Sequence, residues 1–165
     1  MIPNTAPVDI VAAIPLAWPL IVRPGRFRAD AWLDRLPKRP AWRIGYGSST
    51  VDYRPVTPGM SCTRKDAARW SGYDLLLASN QVEHFVTVAL SAQQCAALIA
   101  LDHDIGLGNF EDSFVLRALN AGDHAAAAEH FLDHAMIDGV VVPELRARRD
   151  EERALFLSRL LSAPA

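Results

Sequence analysis

From Thr63 onward the apolar positions recur at helical spacing. Ala67, Trp70, Tyr73, Leu76 and Leu77, followed by Val82 and Phe85, mark a long helix. Thr63 is its N-cap, with Asp66 three residues on as an approximate capping box, and Gly72 weakens the pattern without ending it. Trp70 and Tyr73 read as core. Ser91 with Gln94 is a second capping box and opens Ala96 to Leu101, six apolar residues in a row. A helix with no polar face is buried on all sides, and Gly106 and Gly108 should end it. Glu111 to Asn120 reads as a short helix, Asp123 caps another from His124 to about His134, and Asp138-Gly139 turns the chain. Pro143 suits a first helical position, and the last helix should run to about Leu161. Opposite charges stand at i,i+4 along it: Glu144/Arg148, Arg146/Asp150 and Arg148/Glu152.

The stretch from Phe27 to Met60 has a different rhythm. A polar helix-to-strand turn holds Asp34, and a short strand ends in Arg43-Ile44-Gly45-Tyr46-Gly47. Glycines alternating with Ile44 and Tyr46 suit a strand that another backbone or a ligand approaches closely. Pro55 and the Pro58-Gly59 pair then stop the sheet. A small β-region near the N-terminus followed by helix after Ser61 is the expectation. Upstream, Ile10 to Val22 is apolar but too short to span a bilayer, and Pro15 and Pro19 interrupt it. Asp9 precedes it and no Lys or Arg does, which is poor grammar for a secretory signal. It is expected to pack on the helical part.

At 165 residues the chain has the length of one domain, and 50% apolar with 22% charged residues is a globular composition. A net charge of −2 does not favour nucleic acid. The charge is uneven, however. Seven basic residues stand between Arg23 and Arg43 against Asp30 and Asp34, a local excess of five positive charges that leaves −7 for the rest. Cys62 and Cys95 are too few for a disulfide framework, and Cys95 lies in an apolar run. His130 and His134, at i,i+4 with Asp133 between, have a spacing that zinc can use, but no partner motif accompanies them. No metal or other cofactor is expected.

Four motifs in order carry a resemblance. Phe27-Arg28, Ala31-Trp32-Leu33-Asp34 and Ile44-Gly45-Tyr46-Gly47 come first, then Leu90 to Leu98 with Asp104-Ile105-Gly106-Leu107-Gly108-Asn109-Phe110. Leu116 to Asp123 (LRALNAGD) is third, and Pro143-Glu144-Leu145 with Arg148-Arg149 and Glu152-Arg153 closes the series. Over about Leu20 to Leu157 the chain resembles the phage-type lysozymes, the endolysin muramidases of glycoside hydrolase family 24. The resemblance implies an α+β, mainly helical lysozyme-like fold in a single domain over 1–165. A β-containing lobe at about 27–60 would be joined by a long helix to a helical lobe at 61–161. It implies peptidoglycan or another acidic glycan as partner, a monomer, and a protein made in the bacterial cytoplasm whose target is the cell wall. Some phage lysozymes carry an N-terminal membrane signal, so Ile10 to Val22 can also be read as a decayed one.

The catalytic positions do not follow the scaffold. Glycoside cleavage uses a carboxylic acid to protonate the leaving oxygen and usually a second carboxylate across the scissile bond. In the family the acid is the Glu of E-G-F-R; here that position falls on Gly25, or on Pro24 if the alignment slides by one, with Arg26 next to Gly25. The family's Thr before I-G-Y-G is Arg43, and the His after it is Ser48. Of the catalytic set only Asp34 remains, and a neighbouring guanidinium would hold it ionised. Asp104, at the family's Asn position, is the best replacement acid the sequence offers; otherwise it caps the following Gly turn. Arg26, Arg43, Tyr46 and Ser48 are the expected substrate-binding residues. Three readings follow: a divergent hydrolase working through Asp34 and Asp104, a non-cutting binding module whose basic cleft holds an acidic glycan, peptide carboxylates or an acidic protein surface, or a structural part of a phage or secretion particle that uses only the fold.

Overall fold

The computed structural model describes residues 9–35 and 40–158. Along them run α1 (Ile10–Ile21), β1 (Arg28–Asp34), β2 (Ala41–Gly45), β3 (Thr50–Val51), β4 (Arg54–Pro55), α2 (Arg64–Phe85) and α3 (Ala92–Ile105). Then come α4 (Leu107–Glu111), α5 (Phe114–Asn120), α6 (His124–His130), β5 (Met136–Ile137), β6 (Val140–Val141) and α7 (Pro143–Leu157). The strands form three antiparallel pairs, β1-β2, β3-β4 and β5-β6. The fold is mostly helical with small sheets, as the motifs implied.

The helices are where the caps and the apolar spacing put them. Thr63 and Ser91 each close a full capping box, with Asp66 and Gln94. Twelve residues of α3 are buried, from Gln94 to Ile105, so the run without a polar face sits inside the protein. Against it packs α1, which is capped by Asp9 accepting from Ala12 and buries Ala13, Ala17 and Ile21 at a four-residue interval. Pro15 and Pro19 remove helix donors. Burial of that face against α3 keeps α1 helical across both. No helix among the described residues is long and apolar enough to cross a membrane.

The described residues form two cores. The larger joins α1, α3 and the C-terminal helices, and includes Phe110, Phe131 and Phe156, all fully buried; each such side chain is worth about 1.5–3 kcal/mol relative to exposure. The smaller holds Ile44, Val51, Val56 and Trp70, where the β-region leans on the first half of α2. Gly45 makes that approach close. At φ 68° a Cβ there would sit 2.6 Å from the Ala67 methyl, so only glycine lets β2 lie this near α2.

Several local expectations are corrected. Asp34 ends a strand rather than occupying a helix-to-strand turn, because β1 pairs with β2 through Trp32 opposite Arg43 and Asp34 opposite Ala41. Gly106 ends α3, but Gly108 lies inside the short α4. The helix expected from Glu111 to Asn120 is α5, capped by Ser113, and the one after Asp123 passes at Phe131 into a 3-10 segment. Asp138, at φ 50°, and Gly139 turn the chain where expected, but the turn closes a small hairpin, β5-β6, where only helix is expected after Ser61. Tyr73 is 62% exposed, whereas Trp70 is core. Cys62 and Cys95 are both free thiols. Pro37 and the two cations Lys38 and Arg39, in the loop after Asp34, lie outside the described residues, as does the C-terminal end expected for the last helix.

Candidate functional site

The β1-β2 pair supplies one wall of a cleft. In an antiparallel ladder, residues directly opposite share a face, so Trp32, Asp34, Ala41 and Arg43 point the same way. The other wall is the first turns of α7 with the hairpin before it. The space between holds about 350 Å³ and is bordered by Trp32, Leu33, Asp34, Arg43, Glu144 and Leu145, among others. Four more arginines or acids reach it: Arg26, Arg28, Arg148 and Asp104, with the exposed Arg35 at the edge.

Arg43 organises the floor. Its Nε lies 2.6 Å from Asp34 Oδ2, its Nη1 donates to the carbonyl of Gly47 at 2.7 Å, and its Nη2 donates to the backbone carbonyl of Asp104 at 3.2 Å. Both charged side chains are largely withdrawn from water, with 9% and 12% of their surface exposed. Asp34 is thus committed to a guanidinium inside the cleft.

Asp104 is committed more heavily. Arg26 reaches it from the 3-10 turn Pro24–Arg26, Arg149 donates to its Oδ2 at 2.5 Å, and Arg148 lies 3.4 Å from the same oxygen. Burial pushes this carboxyl up, but Arg26 and Arg149, then His103 and Arg148, outweigh it and hold it well below the usual carboxylate range. It is the wrong ionisation state for a proton donor at neutral pH. Nor does it cap the Gly turn; the Gly106 amide donates instead to the Asp102 carbonyl at 2.7 Å. Arg149 extends the network to Glu152 at 2.8 Å, both fully buried. The expected Arg148/Glu152 pair is therefore replaced by Arg149–Glu152, one residue along.

The remaining expected site residues divide. Arg26 borders the cleft, yet its guanidinium is used by Asp104 and the carbonyl of Leu20 at 2.7 Å. Tyr46 borders it with only 6% exposure, tilted against Phe27 at 5.6 Å. Ser48 does not reach it: the side chain is buried and donates to Asp74 Oδ2 at 2.5 Å. The turn Ile44–Ser48 explains this, because it folds Ser48 back against β2 and towards α2. His130 pairs with Asp133 at 2.7 Å and stacks on Phe114, and among the described residues no group of three potential ligands could hold a metal ion.

Sequence reasoning missed Trp32, Glu144, Leu145 and Arg148 as cleft residues. Half-buried Trp32 carries the exposed Arg28 over its ring at 4.4 Å, a cation–π pair bordering the cleft. The alternation Trp32, Asp34 was visible as a strand signal, but reading that stretch as a turn hid it.

The family model for phage lysozyme matches residues 26–152. The chain belongs to the phage lysozyme family. The endolysin of Salmonella phage P22 is 37% identical over 116 residues, covering 70% of this chain and 79% of that protein. The endolysin of Bacillus phage B103 is 31% identical over 123 residues, and the chain spans only 46% of its length. Among solved structures, the muramidase domain of SpmX from Asticaccaulis excentricus is 28% identical, with a TM-score of 0.67 over 88% of this chain and 95% of that one. Within the family's architecture, the described cleft is the one the first and last motifs enclose.

Proposed function

We propose that this protein is directed at peptidoglycan and that its cleft holds the glycan strand without the family's usual proton-donating step. The observation that carries this reading is the pairing of cleft acids with arginines. Asp34 lies against Arg43 at 2.6 Å, and Asp104 lies among Arg26, Arg148 and Arg149. A glycosidase needs one neutral carboxyl to protonate the leaving oxygen and negative charge near the oxocarbenium-like centre. Here the acid's place is Gly25, and the Asp34 charge is already neutralised. Any unpaired guanidinium about 4 Å from the developing cation would oppose it by ~4 kcal/mol at an effective dielectric near 20. Glu144, the remaining cleft acid, is exposed in the first turn of α7, where the helix dipole favours negative charge.

Holding needs less than cutting. The cleft offers the Trp32 ring, the Leu33 and Leu145 side chains, and Arg28, Arg35 and Arg148 for acidic groups on the ligand. The same cations also fit an acidic protein surface, which is the second reading. Sedimentation with purified peptidoglycan separates the two. The native protein should pellet with the wall, and Trp32→Ala should weaken retention about tenfold, as expected for an aromatic anchor. Native protein left in the supernatant, or retention that Trp32→Ala does not change, would contradict glycan binding in this cleft.

A further inference from the structure

A second cavity, of about 210 Å³, lies beyond the Arg43 and Gly47 wall of the cleft, between α2 and the end of α3. Its composition is unlike that of the cleft. Asp74, Asp102 and His103, with Arg43, Ser49 and Gln81, supply its polar lining, and Leu77, Ala78 and Leu107 its aliphatic one. Leu77 and Leu107 are 58% and 40% exposed, so the apolar side chains stand at the mouth, whereas Asp102 is 2% exposed.

The polar groups here are short of partners. Among the described residues no cation pairs with Asp102; its neighbour is the Gln81 amide, which donates to both carboxyl oxygens, to Oδ1 at 3.2 Å, when its nitrogen faces the acid. His103 is buried, and neither ring nitrogen has a hydrogen-bond partner; Nε2 stands 4.0 Å from Asp74 Oδ2, and Nδ1 stands 3.7 Å from Asp104 on the cleft side. Asp74 accepts a hydrogen bond from the Ser48 hydroxyl and lies in the field of His103 and Arg43. The one cation on the wall, Arg43, is used up by Asp34 and by the carbonyls of Gly47 and Asp104. Asp102 is thus a buried carboxyl without a counter-charge, which is costly to ionise, and Asp74 beside it is half-buried with only His103 and the already engaged Arg43 acting on it. A ligand that brings positive charge would relieve that cost.

The shape selects the cation. Among the described residues no group of three His, Cys, Asp or Glu side chains surrounds one point as a metal ion would need. A primary ammonium has three N–H donors for Asp74, Asp102 and the His103 ring, and its methylene stem matches Leu77, Ala78 and Leu107. We propose that this cavity is a binding site for an alkylammonium group, the terminal amine of a lysine-like chain, received by Asp102 and Asp74. Burial pushes Asp102 up to about 7 and Asp74 in the same direction, as expected of acids awaiting a counter-ion. The inference does not depend on how the cleft is used.

The test is a nuclear magnetic resonance titration of the full chain with n-pentylammonium chloride, following the amides of Gly106 and Leu107 at pH 8. 1-Pentanol serves as the uncharged match at equal ionic strength. The amine should give saturable shifts in the millimolar range and the alcohol none. Asp102→Asn should weaken amine binding at least tenfold. The amine should also raise the melting temperature of the native chain and not that of the variant. Equal responses to amine and alcohol, no saturable shift with the amine, or unchanged binding by Asp102→Asn would each overturn the proposal. Should Asp102→Asn fail to fold, Asp74→Asn is judged by the same tenfold criterion, and the amine-to-alcohol contrast in the native chain decides alone if neither variant folds.

Discussion

Asp102 and Asp104 sit two residues apart on one helix, both buried, and their surroundings are opposite. Asp104 faces the cleft and gathers Arg26, Arg148 and Arg149, so its carboxyl is held well below the ordinary range. Asp102 faces the second cavity with an amide for company, and burial pushes it to about 7. Withdrawal from water acts upward on both; the neighbours decide which way each one moves. The same contrast separates the two cavities. On one side the arginines outnumber their acids and leave Arg28 and Arg35 at the edge; on the other, Asp102 has no positive partner among the described residues.

The comparison breaks most visibly at Arg149, which serves Asp104 and Glu152 together while fully buried. Arg149→Met leaves two buried carboxylates short of a partner and should cost about 3–5 kcal/mol, read as a drop in the denaturant midpoint. Asp102→Asn should act in the opposite direction. Because the folded state raises this acid, the native protein binds its proton more tightly than the unfolded chain does, so Asp102 makes stability fall as pH rises from about 4 to about 7. The Asn variant should lack that slope. It should be more stable than the native chain by about 2–4 kcal/mol at pH 8 and closely matched at pH 3, seen in unfolding curves at the two pH values.

Smaller effects sharpen the boundary between the cavities. Ser48→Ala removes the hydroxyl that serves Asp74, at a cost of about 1 kcal/mol, but should leave retention on peptidoglycan unchanged, since Ser48 does not border the cleft. Arg146→Ala breaks a solvent-exposed pair with Asp150 on the outer face of α7. That pair is screened by water, so the loss should stay below about 0.5 kcal/mol in the same unfolding assay.

How much of this was legible follows from how local each signal is. Capping boxes at Thr63 and Ser91 and the apolar run of α3 are read from neighbours in sequence, and the structure repeats them. The absence of a Glu from Arg23 to Arg43 and the basic excess over the same stretch were also plain. The fate of Asp104 was not, because its partners arrive from a turn 78 residues before it and a helix 44 and 45 residues after it. Two-residue strands such as β5 and β6 leave too short a period to read, and Tyr73 kept helical spacing while facing water. The second cavity was invisible for the same reason as the fate of Asp104: Asp74 and Asp102 share a wall only once α2 and α3 pack.

The most direct test is release of reducing sugar from purified peptidoglycan, native chain beside a Gly25→Glu/Arg43→Thr double variant. A Cβ added at Gly25 meets nothing within 4 Å, and its φ is not in the left-handed region, so a side chain can start there without displacing a neighbour. The account predicts no release above background by the native chain, and measurable release by the variant, in which the donor returns and Asp34 loses its guanidinium. Sugar released by the native chain at a rate the variant does not exceed would contradict it.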